Sequence, residues 1–101
     1  NLRVLKYLKD QMGQSPEAID NWYRHRIIEG FTALETLAPE DGLFGGDLPN
    51  LVDVCLVPQM ANARRFATPL ESFPRLERID ATLTQLPAFM AAHPDVVNPD
   101  A

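Results

Sequence analysis

Apolar positions in this chain recur at three- and four-residue steps almost from end to end, the period of helices. In the opening stretch, Asn1 to Met12, Leu2, Val4, Leu5, Leu8 and Met12 define an apolar side. Lys6, Lys9 and Asp10 take the other, and Gly13 ends the run. Ser15, Pro16 and Glu17 predict the cap, first helical residue and acidic first turn of a second helix. It runs to about Leu37, with Ile19, Trp22 or Tyr23, Ile27, Gly30 or Phe31, Leu34 and Leu37 facing inward. Gly30 costs a helix about 1 kcal/mol relative to alanine, so it is either a point of close helix approach or a tolerated defect. Residues 39–49 have no period and form a loop whose Gly45–Gly46 pair turns Leu43 and Phe44 inward. Past the segment treated next, Phe73 or Pro74 to Leu83 makes a helix that buries Phe73, Leu76, Ile79 and Leu83. Arg75, Arg78 and Asp80 are left wet. A short last helix, Ala88 to Ala92, is ended by Pro94, with an irregular tail from Asp95 to Ala101.

Asn50 to Phe66, NLVDVCLVPQMANARRF, is the segment the others are expected to wrap. Asn50 is placed to accept a backbone hydrogen bond as N-cap, and Asp53 to return one to the cap residue's N–H, which makes a capping box. Leu48 and Val54 stand close to the spacing of a hydrophobic staple. Every residue from Leu51 to Val57 except Asp53 is apolar, which predicts a helix buried on all sides, with Cys55 a silent core thiol. The valines would also suit a buried strand. The cap, the helix-forming tail and Pro58, which would delete a ladder bond, favour a helix kinked at the proline. The sum is an all-α bundle of five helices around a buried central one, a single domain over residues 1–101.

Composition narrows the partners. Nine basic against fourteen acidic residues give a net charge of -5, which disfavours nucleic acid and membrane surfaces. One cysteine excludes an internal disulfide and fits a reducing compartment such as the cytoplasm. The chain opens on Asn1 directly in helix-like sequence, as expected of part of a larger protein. His25, His93 and Cys55 do not have the spacing of a metal site. His25, between two arginines, belongs to a solvated helix face, and His93 to a helix C-terminus. The Gly45–Gly46 loop lacks the strand and lysine of a phosphate cradle. Asp53 is committed to the cap, at a cost of about 1 kcal/mol or more if removed.

Arginines remain. Arg64 and Arg65 are adjacent, so they point about 100° apart on a helix, and one can face solvent while the other enters a cleft. A guanidinium fork suits a carboxylate, and Arg3 on the first helix could join whichever of the two enters the cleft to clamp a small dianion.

The run DVCLVPQMANARRF resembles the matching segment of zeta-class glutathione transferases, the family of maleylacetoacetate and maleylpyruvate isomerases. NLRVLKYL, WYRHRIIEGFTALE, FPRLERI and HPDVVNPD extend the likeness over nearly the whole chain. Asparagine at position 50 replaces the serine or threonine usual at this cap. The resemblance implies the C-terminal helical domain of a two-domain enzyme that depends on glutathione. A thioredoxin-like N-terminal domain would carry the Ser-Ser-Cys motif and most of the glutathione site, so no catalytic residue is expected here. In such enzymes the thiolate adds to the cis double bond of a diacid, the new single bond turns, and elimination gives the trans isomer. By position, Arg65 and, less directly, Arg3 would bind substrate carboxylate, and Asn1 would lie near glutathione across a homodimer interface. Alternatives are a transferase for uncharged electrophiles and a non-catalytic module that binds a protein partner.

Overall fold

Residues 2–98 are described by the computed structural model, which arranges them as six helices. These are α1 (Leu2–Asp10), α2 (Pro16–Leu37), α3 (Leu51–Arg65), α4 (Pro74–Thr84), α5 (Pro87–Ala91) and α6 (Pro94–Val97). The sixth was not anticipated. His93 does not end a helix; its imidazole accepts the Asp95 N–H at 3.1 Å and caps the single turn of α6. Among the described residues the only strand-like pairing is the Leu43–Gly46 bridge in the glycine loop.

Ser15 Oγ accepts the Ala18 N–H at 3.1 Å and starts α2 as its sequence predicts. The buried stripe of α2 is Ile19, Tyr23, Ile27 and Phe31, a strict four-residue step. One more step reaches Glu35, not Leu37, and Leu37 is 75% exposed. Gly30 is not a point of helix contact, because a Cβ built on it would meet nothing within 4 Å.

The expectation of a helix buried on all sides is corrected in α3. It buries Asp53, Leu56, Met60 and Ala63, a narrow seam with steps of three, four and three, against α4. Leu51, Val52, Val54 and Cys55 are exposed, because no described element packs on the opposite side. Leu48 and Val54 are both exposed as well, so the staple buries nothing. The hub is α4, where Leu76, Ile79 and Leu83 have no exposed surface and which packs on α2, α3 and α5.

Three polar residues of α4 are not wet as expected. Asp80 is buried and pairs with Arg64 at 2.8 Å. Arg78 donates to the Gly42 and Pro39 carbonyls, each at 2.9 Å, and Arg75 to the Ala38 carbonyl at 3.1 Å. Arg78 ties the glycine loop to α4, and Arg75 ties on the end of α2 and, through Glu40 at 3.3 Å, the start of that loop. The accessible surface is 7137 Å², against about 5,700 Å² for a folded monomer of this mass. The radius of gyration is 15.3 Å, where about 13 Å is usual for this length.

Candidate functional site

The first turn of α3 is built around one carboxylate. Asp53 has no exposed surface; it accepts the N–H groups of Phe44, Gly45 and Asn50, each at 2.9 Å. Its own N–H donates to Asn50 Oδ1 at 3.2 Å, which closes the capping box. Gly45 fits only because it has no side chain: a Cβ there would collide with the Leu48 carbonyl oxygen and stand 2.8 Å from the Asn50 nitrogen. With all its bonds internal, this cluster sets the loop against the helix.

The other end of α3 separates its two arginines. Arg64 turns to the bundle and its bond to Asp80 commits it to the fold. Arg65 lies on the side shared by Leu51, Cys55 and Pro58, at steps of four, three and seven residues along the helix. It is exposed and has no ion pair among the described residues; its Cζ stands 5.9 Å from the centroid of the Phe66 ring. That ring stacks on Tyr23 of α2, with centroids 4.1 Å apart and planes 11° off parallel. Arg24 Nη1 donates to the Phe66 carbonyl at 2.8 Å. Ala67 then takes a left-handed φ of 54°, and Thr68 N–H closes back onto the Ala63 carbonyl at 2.9 Å, a Schellman-type stop.

Arg3 is exposed on α1 and makes no ion pair among the described residues, and it shares no bonding partner with Arg65. Asn1 lies outside the described residues. Beside α1 is an open cavity of about 540 Å³ whose lining includes Val4, Trp22, Arg26, Gly30, Leu34 and Gln59, but neither Arg3 nor Arg65. The clamp of two arginines is therefore not assembled in this chain. The Phe66–Tyr23 pair escaped sequence reasoning, since its members are far apart in the chain and each is an ordinary apolar position.

The all-helical bundle built on α3 and α4 matches the C-terminal helical domain of glutathione transferases. No family model matches the sequence, but similar proteins do. Its homologues are maleylacetoacetate and maleylpyruvate isomerases, zeta-class glutathione transferases. A probable maleylacetoacetate isomerase of Vibrio cholerae is 46% identical over 103 residues, which takes in 100% of this chain and 47% of that protein. The solved structure of a maleylpyruvate isomerase, a bacterial zeta-class enzyme, superposes with a TM-score of 0.92 at 39% identity, covering 100% of this chain and 49% of that one. A maleylacetoacetate isomerase from Anaeromyxobacter dehalogenans, solved with dicarboxyethyl glutathione and citrate in its active site, gives 0.88 at 42% identity, covering 100% and 45%. The chain thus spans about half the length of the curated relatives it matches.

Proposed function

We propose that this chain is the C-terminal helical half of a glutathione-dependent cis–trans isomerase of maleylacetoacetate-type diacids, with Arg65 as the anchor for a substrate carboxylate. The observation that carries the reading is the division of labour at the end of α3. Arg64 is consumed by Asp80, while Arg65 has no acidic partner among the described residues and lies on the open side of the helix. A cation with no ion-pair partner among the described residues, beside exposed apolar surface, suits an anionic ligand seated between this domain and another.

The exposed strip of α3, and the groove beside α1, are the surfaces that a thioredoxin-like N-terminal domain would cover. The chain's excess accessible surface, about 1,400 Å², is of the order of one interdomain interface. Bound glutathione supplies a thiolate whose reversible addition makes the cis double bond a rotatable single bond. Arg65 would hold one carboxylate fixed while the rest of the substrate turns, and the apolar strip would keep water from the cleft. Arg3 is a weaker candidate for the second carboxylate, and Asn1 for a contact with glutathione across a homodimer interface. A reducing cytoplasm suits both the cofactor and the lone thiol.

In the full-length enzyme, Arg65→Ala is expected to lower kcat/KM for maleylpyruvate by about 10- to 100-fold, the worth of a charge-assisted hydrogen bond. Glutathione affinity and Tm should stay as they were. Unchanged kinetics would take Arg65 out of the site. Full activity on uncharged electrophiles with none on maleylpyruvate in the parent enzyme would replace the isomerase reading with a broad transferase.

A further inference from the structure

The geometry points to Phe66 as a positioning residue for Arg65: its ring, stacked on Tyr23 and with its backbone carbonyl held by Arg24, is a shelf for the anchor guanidinium. The inference rests on the reading of Arg65 as the carboxylate anchor and deepens it. An exposed arginine at a helix end samples many rotamers, and freezing them on binding is costly. The shelf reduces that cost in three ways visible here. The Phe66 ring offers its π-face or edge within cation–π range of the Arg65 guanidinium, with Cζ 5.9 Å from the centroid. The ring is itself fixed, since Tyr23 is buried and stacks on it at 4.1 Å. The Phe66 backbone is fixed as well, its N–H bonded to the Asn62 carbonyl at 3.1 Å and its carbonyl taken by Arg24 at 2.8 Å. A ring held at both its face and its backbone cannot follow the guanidinium, so the guanidinium must come to the ring.

The test uses the full-length enzyme with glutathione and maleylpyruvate as the probe substrate. Phe66→Leu keeps an apolar group but removes the π-face; it is expected to raise KM about three- to tenfold with a smaller change in kcat. Phe66→Tyr should restore KM to within about twofold of the parent, because the aromatic face returns. The deciding measurement is a double-mutant cycle: in an Arg65→Ala background, Phe66→Leu should cost nothing further. An equal loss in both backgrounds would mean that the ring serves only the fold, and the shelf would be overturned. A normal KM in Phe66→Leu, alongside a raised KM in Arg65→Ala, would overturn the shelf and leave the anchor standing. No effect of Arg65→Ala at all would remove the anchor and the shelf together. Should Phe66→Leu not fold, the parent enzyme decides by NMR: Arg65 side-chain protons displaced by the ring current support the shelf, and protons at their ordinary positions overturn it.

Discussion

At the scale of the residue, Asp53 shows how far local spacing reaches. Its partnership with Asn50 is three positions long, and the sequence displays it directly. Its bonds to the N–H groups of Phe44 and Gly45 come from a loop whose path is set by the left-handed Gly42 and Gly46 and by the tight fit of Gly45 under Leu48. No pattern in the sequence announces them. The consequence is energetic. A cap alone predicts a loss of about 1 kcal/mol. Asp53→Ala strands three N–H groups that the carboxylate now satisfies, so the expected loss is about 3–5 kcal/mol. Urea unfolding of the full-length protein measures it, and a loss of only about 1 kcal/mol would mean that water replaces the carboxylate in the loop. Cys55 and Arg65 illustrate the opposite limit. An apolar run says that its residues can be buried but not which of them have a neighbour, and the half of α3 that faces away from α4 has none among the described residues.

At the scale of the element, the boundaries of α2 and α3 followed from caps and period, while the single turn of α6 and the contacts between helices did not. The N-cap position of α4 is Phe73, whose side chain caps nothing. Its orphan N–H groups are taken instead by a residue of α2: Glu35 accepts from Arg75 N–H at 3.1 Å and from Leu76 N–H at 3.0 Å. Glu35 occupies the next step of the stripe that buries Ile19, Tyr23, Ile27 and Phe31, so α2 delivers a carboxylate to the helix it packs against. The negative charge also meets the positive end of the α4 dipole. Removing the acceptor in Glu35→Ala should therefore destabilise the fold by about 1–2 kcal/mol, as loss of an ordinary N-cap does. Glu35→Gln retains an oxygen and should lose about half as much. Thermal unfolding of the two variants separates a cap from a surface carboxylate, which would give no difference between them. The sequence could place Glu35 on the inward stripe only after the step was known to be four, and a period of 3.6 chose Leu37 instead.

At the scale of the whole molecule, the surplus surface and the long radius of gyration describe a bundle with one side left open. That side is not polar. Among the described residues, Leu51, Val52, Val54 and Cys55 make a contiguous apolar strip on α3, of the kind that marks an interaction surface in an otherwise acidic chain. Among the described residues no helix is long and apolar enough to cross a membrane. The resemblance to two-domain enzymes implied a neighbouring domain, yet the sequence reading placed the apolar run of α3 inside the bundle, because such a run reads the same whether a helix or a domain would cover it. Cys55 separates the two. If the other half of the enzyme seats on this strip, the thiol that is exposed here becomes covered there. In the full-length protein under native conditions Cys55 should react with a small disulfide reagent at least about 100-fold more slowly than in denaturant, with protection tracking the stability of the domain contact and not that of the bundle. Val54→Asp, on the same strip but outside the bundle core, should abolish that protection and leave the helical circular dichroism intact. A Cys55 that reacts freely in the native full-length enzyme would leave the strip without its occupant, and would turn the search for the second domain's seat to the groove between α1 and α2.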